Sequence, residues 1–300
     1  MNNKAKLIID CDNIFGLPFR EVDDGLALSY LLGQNSLNIL GITTTFGNSS
    51  IKCVIAQTRE LLNLLNVEHI PVFKGASSAD NAYTEASQFL VEQVNQFPNQ
   101  ITFLLIGPTT NLASAQKLDA SFFSKVKQVI CLGGWRKTLW FARRTLKEVN
   151  FASDPVSARI VLTAECPVDI IDADVCLQVL FGKKELQYIN RSVNLPLKYR
   201  VTLTLWKIAW FCHCFSQRFC PWDLVAAVYV LNKECFISHP VSVNGNQSVN
   251  NSGQLSLQSG YFNSNIRLVS HVISPNMITA ELVSGLQNIF GTREEKVNAG

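Results

Sequence analysis

The chain has 300 residues, 47% of them hydrophobic and 16% charged, with a formal net charge of +3. A chain of this length buries about three quarters of its unfolded surface, and the length alone fits one α/β domain or two. The nearly balanced charge argues against a nucleic-acid partner. No run approaches the ~18 consecutive apolar residues of a membrane span, so no membrane partner is expected.

The first residues, MNNKAKLIID, lack the long apolar stretch of a secretion signal. Nine cysteines, an odd number, sit mostly in apolar runs such as VICLGG and DVCLQV. That pattern suits buried free thiols in a reducing compartment, and a cytoplasmic location is expected. The stretch FCHCFSQRFC (Cys212, His213, Cys214, Cys220) has no standard zinc-ligand spacing and shares a helix-like run with Trp206 and Trp210, so core packing is expected there.

In chain order, residues 6–10 (KLIID) form a short apolar strand ending in an acid. The helix DDGLALSYLLG (23–33) follows, with acids in its first turn and Gly33 as its stop. Residues 37–46 (LNILGITTTF) are the next strand and 53–65 (CVIAQTRELLNLL) the next helix. Residues 101–107, 127–134 and 168–175 read as further buried strands, separated by helices near 84–97, 110–117 and 154–164. Apolar strands with helical crossovers imply a mostly parallel sheet with helices on both faces.

The last third changes character. LKYRVTLTLWKIAWFCHCF and DLVAAVYVL are helix-like, HPVSVNGNQSVNNSGQLSLQ reads as strands around an Asn/Gly/Ser turn, and PNMITAELVSGLQNIF as a closing helix. With no linker, low-complexity tract or repeat, the expectation is a single α/β domain over residues 1–300 with a C-terminal helical and β-hairpin elaboration.

Ligands of an open parallel sheet bind at the carboxyl ends of its strands. Asp10 and Asp12 end the first strand, Asp23 and Asp24 open the helix after it, the second strand leads to Asn48, and residues 101–107 lead to Thr110 and Asn111. Carboxylates gathered in one crevice need a cation, and oxygen ligands of this kind suit Ca2+ or Mg2+.

The segments DCD…DDGLAL, GITTTFGN, GPTTNLA, LGG…EVNFASDP and WDLVAAVYV occur in the order expected of the nucleoside hydrolases, and the chain resembles that family from Lys6 to about Phe290. The resemblance implies hydrolysis of the N-glycosidic bond of ribonucleosides to ribose and free base, by a Ca2+-bound water that Asp12 activates. It implies Asp12, Asp24, Thr110 (through its carbonyl) and Asp223 as Ca2+ ligands. Asp23, Asn48, Glu148 and Asn150 would hold the sugar, with Asp10 behind them. Many family members carry a His before the late calcium Asp. Here Trp222 stands there, as in the purine-preferring branch, where it would stack on the leaving base, so purine nucleosides are expected to be slightly favoured. A homodimer or homotetramer is also implied.

Three stretches depart from the family pattern, one of them the shortened run between PVFKGA (71–76) and the next helix, where the family often carries a His-Gly-containing loop. Ten residues, NIFGLPFREV (13–22), separate Asp12 from Asp23 where the family usually has three. The segment WRKTLWFARRTLKE carries Arg136, Lys137, Arg143, Arg144 and Lys147 where the family often has a Gly-Asn near the ribose 5′ side. Either a solvated loop or a site for a phosphate on a nucleotide substrate fits that charge. Two alternatives of other classes remain: a protein that binds ribosides and Ca2+ without turning them over, and a metal-dependent phosphohydrolase, in which D-x-D at a strand end also occurs but which needs a phosphate cradle that no Gly-rich loop of this sequence supplies.

Overall fold

Leu7, Ile8 and Ile9 are fully buried in the first strand, and they point alternately to two separate hydrophobic clusters. A strand buried on both faces carries a continuous apolar run rather than an alternating one. The computed structural model describes residues 4–81, 83–258 and 265–293.

The first half alternates strand and helix: β1 (Ala5–Cys11), α1 (Asp23–Leu32), β2 (Leu37–Thr44), α2 (Ile51–Leu64), β3 (Val72–Lys74), α3 (Glu85–Gln96), β4 (Ile101–Leu105), α4 (Thr110–Leu118) and β5 (Gln128–Leu132). A small hairpin follows, β6 (Trp140–Phe141) with β7 (Arg144–Thr145), then α5 (Asn150–Ser153), α6 (Pro155–Leu162), β8 (Val168–Ile171) and α7 (Ala173–Cys176). The rest comprises α8 (Lys183–Ser192), α9 (Leu197–Cys214), α10 (Trp222–Leu231), β9 (Phe236–Pro240), β10 (Ser242–Val243), β11 (Leu257–Gln258), β12 (Ile266–Val272) and α11 (Pro275–Phe290).

Eight strands form one sheet in the order β3-β2-β1-β4-β5-β8-β12-β9. All neighbours run parallel except β9, which lies antiparallel to β12 at the edge. The mostly parallel α/β sheet expected from the sequence is therefore present. From β1 the chain winds outward through β2 and β3 on one side and through β4 and β5 on the other. That reversal opens a crevice at the carboxyl ends of β1 and β4.

Local chemistry sets the helix ends. Thr84 and Ser87 cap α3 reciprocally, and Asp154 accepts the Ser157 N–H at 3.0 Å ahead of Pro155 at the start of α6. Asp172 accepts the Val175 N–H at 3.0 Å, so the strand expected over 168–175 ends at Ile171 and a short helix begins. Helix α1 is apolar on all sides, buried from Asp23 to Leu31, and packs against α10 and α11. Gly33 ends it with ordinary helical dihedrals. The glycine is needed for another reason: a Cβ there would lie 2.1 Å from the Gly285 carbonyl oxygen of α11.

The cysteine cluster is divided. Cys214 and Cys220 are buried in the core, as expected, whereas Cys212 and His213 are exposed on the last turn of α9, His213 on the side of the cavity that Trp206 and Trp210 line. Among the described residues, no helix is long and apolar enough to cross a membrane.

Candidate active site

Asp12 follows the last residue of β1, and the ten residues after it form an anchored loop. The Asn13 side chain accepts the Phe15 N–H at 3.0 Å, and the Leu17 N–H donates to the Ile14 carbonyl at 3.2 Å. Ile14, Phe15 and Val22 are buried, and the Phe15 ring lies 4.7 Å from that of Tyr199. A Cβ on Gly25 would lie 2.3 Å from the Phe15 ring, so the glycine of D-D-G leaves room for the loop. Only the tip, from Pro18 to Arg20, is exposed, and the chain then returns Asp23 and Asp24 to the crevice.

Carboxylate oxygens of Asp23, Asp24 and Asp223 lie within 4.8 Å of one another, and all three residues are buried. Asp12 adjoins them: its N–H donates to Asp24 Oδ1 at 3.3 Å, and its Oδ2 accepts the Asn48 N–H at 2.6 Å. The Asn48 side-chain amide donates to Asp24 Oδ2 at 3.3 Å, tying the end of β2 to the start of α1. Gly47 has φ +149°, and a Cβ there would sit 2.0 Å from Asp12 Oδ2. Behind this group, Asn111 donates to Asp10 Oδ1 at 2.9 Å and to the Thr44 carbonyl at 3.0 Å, and it accepts the Ala76 N–H at 2.9 Å.

Burial pushes the Asp10 carboxyl up to about 7, against its bond from Asn111. Burial raises Asp12, Asp23, Asp24 and Asp223 as well; repulsion from Glu21 and Asp10 adds to it for Asp12, and repulsion from Asp12 and Glu21 adds to it for the other three. Among the described residues, no Lys or Arg forms a salt bridge with any of them. Asp12 Oδ1 and Asp23 Oδ1 are buried without a hydrogen-bond partner. Orphaned carboxylate oxygens around an all-oxygen donor set fit a hard divalent cation.

Above the cluster opens a cavity of about 690 Å³. Asp23, Asn48, Glu148, Asn150, Trp222 and Asp223 line it, whereas Asp12, Asp24 and Thr110 lie buried outside its lining. The Thr110 hydroxyl donates to Asp154 Oδ2 at 2.6 Å. Glu148 accepts the N–H groups of Phe151 and Ala152 at 2.8 and 2.9 Å, capping α5, and burial raises its carboxyl against those bonds. The Asn150 amide nitrogen donates to the Leu132 and Ile106 carbonyls at 3.0 and 3.3 Å, which leaves its Oδ1 available.

The sequence reading missed Glu21. This half-buried acid lines the cavity, and its charge raises the carboxyls of Asp12, Asp23, Asp24 and Asp223. Its position two residues before the D-D pair was the available signal. Trp206 and Trp210, read as packing, also line the cavity, with ring centroids 5.4 Å apart. Their four-residue spacing sets them on one face of α9.

A family model described as inosine-uridine preferring nucleoside hydrolase matches residues 7–274. The probable uridine nucleosidase 1 of Oryza sativa subsp. japonica is 28% identical over 221 residues, covering 63% of this chain and 65% of that protein. The chain thus spans just under two thirds of that relative's length. Among solved structures, the plant nucleoside hydrolase PpNRh1 superposes with a TM-score of 0.79 at 20% identity, over 95% of this chain and 99% of that one. A purine-preferring ribonucleoside hydrolase from Gardnerella vaginalis gives a TM-score of 0.78, also at 20% identity, over 95% and 99% of the two chains. The fold is shared with both.

Proposed function

The chain belongs to the inosine-uridine preferring nucleoside hydrolase family, and from that premise we propose that it hydrolyses the N-glycosidic bond of ribonucleosides, giving ribose and free base. The observation that carries this reading is the meeting of Asp23, Asp24 and Asp223 oxygens within 4.8 Å at the foot of a cavity of nucleoside scale.

Asp12, Asp24 and Asp223, with the Thr110 carbonyl, would hold Ca2+. When bound, the ion would supply positive charge that orients a water and makes it more acidic. Asp12 is the acceptor for that water's proton. Its Oδ2 is fixed by the Asn48 N–H, while Oδ1 has no partner and is free to take the proton. Asp23 and Asn48 grip ribose hydroxyls, and Glu148 and Asn150 hold the sugar from the other side. Position, more than any single bond, then sets C1′ against the water. As the glycosidic bond lengthens the sugar gains oxocarbenium character, and the surrounding carboxylates favour that positive charge.

The leaving base faces aromatic side chains. Trp222 opens α10 and is half-buried, and Trp206 and Trp210 complete an apolar wall. A ring stacked on Trp222 would be held flat and would accept a proton more readily as it leaves. Purines offer the larger face, so purine nucleosides are slightly favoured in this reading. The nine free cysteines suit a reducing, cytoplasmic setting.

The test is reducing-sugar release from inosine, adenosine, guanosine, uridine and cytidine, with Ca2+ and after chelation, on the wild-type chain and Trp222→Ala. Calcium-dependent release that favours purines, and loses that preference in the variant, is the expected result. Release favouring pyrimidines would overturn the role given to Trp222. Tight nucleoside binding with no release would replace the hydrolase reading by that of a riboside-binding protein.

A further inference from the structure

Five basic residues stand between Gly134 and Glu148, and the structure separates them. Arg136 is occupied, paired with the buried carboxylate of Asp172. Lys137 and Arg143 lie outside the cavity lining. Arg144 and Lys147 line the cavity, and Arg20 at the tip of the 13–22 loop joins them there from a different part of the chain. All three are exposed, and among the described residues none forms a salt bridge. The Arg144 guanidinium sits 5.9 Å from the Phe215 ring centroid, just past the end of α9.

The cavity therefore carries two signs of charge. Its foot gathers Glu21, Asp23 and Asp223, while Arg144 and Lys147 carry cations that form no salt bridge among the described residues, and Arg20 is partly offset by the charge of the adjoining Glu21. A neutral nucleoside gives those cations nothing to bind. We propose that the substrate is a nucleoside 5′-monophosphate, its phosphate held by Arg144, Lys147 and Arg20 while its sugar lies over the carboxylates. This rests on the hydrolase reading above and names the substrate class of that same site.

The charge pattern selects the 5′ position. C1′ must meet the water beside the carboxylates. O2′ and O3′ lie close to C1′ on the ring, where a phosphate would be repelled by the same acids. O5′ is carried on an exocyclic carbon across the ring from C1′, so a phosphate there can reach the cationic side chains. Arginine forks match phosphate oxygens in pairs, and lysine adds a point charge. The reaction leaves the phosphate ester intact. The C1′–N bond breaks, and the water oxygen bonds to C1′. One water proton passes to Asp12, and the base departs with its bonding pair and takes up a proton. The products are ribose 5-phosphate and free base.

The experiment compares free-base release from the five nucleosides, their 5′-monophosphates and inosine 3′-monophosphate. It uses the wild-type chain, the Arg144→Ala/Lys147→Ala double variant and Arg144→Lys. The wild type is expected to favour 5′-monophosphates in kcat/KM by roughly tenfold or more, as for a charge-assisted contact. The double variant should bring that ratio toward unity, Arg144→Lys should retain part of it, and the 3′-monophosphate should be a poor substrate. Inorganic phosphate should compete with the 5′-monophosphates. Nucleoside cleavage with 5′-monophosphates untouched would overturn this proposal alone, as would a ratio that the double variant leaves unmoved. Release from neither class would overturn the hydrolase reading and this one with it.

Discussion

The Asn48 main-chain N–H donates to Asp12 Oδ2 at 2.6 Å, fixing the carboxylate that ends β1 to the turn that follows β2. The contact depends on the residue before Asn48, since a Cβ on Gly47 would lie 2.0 Å from the same oxygen. Gly47→Ala also places a side chain at φ +149°. It is expected to cost roughly 1–3 kcal/mol in urea unfolding and to lower kcat by about a hundredfold. Wild-type turnover in a folded variant would mean that the Asp12–Asn48 link is dispensable.

Asp12→Ala removes the proposed proton acceptor and leaves Asp23, Asp24 and Asp223 in place. The loss in kcat should be about 10²- to 10⁴-fold, the usual worth of a positioned base. Calcium binding followed by calorimetry should persist, weakened. Unchanged turnover with calcium bound would rule Asp12 out as the base.

Asp223→Asn should act in opposite directions with and without metal. In chelator it removes one of several buried, mutually repelling carboxylates, so Tm should rise. With Ca2+ the wild type should gain about 2.7 kcal/mol at a hundredfold excess over Kd, and the variant much less. A calcium-induced Tm rise of equal size in both proteins would remove Asp223 from the ligand set.

Asp119 gives a pH dependence remote from the site. Lys125 at 2.8 Å, and Ser121 through its hydroxyl and N–H, hold the Asp119 carboxyl well below its usual range. Its folded pKa is depressed, so its stabilisation is present above the unfolded value of about 3.9 and is lost as pH falls below it. Both partners are partly exposed, so the effect should stay under about 1 kcal/mol. Asp119→Asn should therefore lower stability at pH 7 by more than it does at pH 2. A destabilisation of equal size at both pH values would show a packing effect instead.

Some of this was legible in the sequence and some was not. The KLIID run, the D-D acids opening a helix and the strand leading to Asn48 placed their side chains at one crevice, because a parallel sheet puts all such strand ends on one side. Asp223 was placed by family resemblance, since nothing local joins α10 to β1. The hairpin Trp140–Thr145 escaped notice because two-residue strands carry no periodicity. Gly33 looked like a helix stop, yet its requirement comes from the α11 backbone 252 positions later, which no local pattern reports. Glu21 was hidden in the ten-residue segment that departs from the family spacing. Its place follows from the anchoring of Phe15 and Val22, and those anchors show only once α1 and Tyr199 are in position.

The 13–22 loop begins at Asp12 and ends at Asp23, so any ion gripped by acids on both sides of it closes a ring of chain. Ring closure costs entropy that grows only as the logarithm of length, about 0.6 kcal/mol for each doubling. Residues can thus be added to this loop with little penalty to ion affinity, provided Ile14, Phe15 and Val22 keep their seats. The tip, which carries Phe19 and Arg20 to the cavity, is then free to drift in sequence while the acids beneath stay fixed. Such a layout lets a lineage try new ligands at the mouth without rebuilding the chemistry, and it marks residues 17–20 as the natural place to graft a new preference by design.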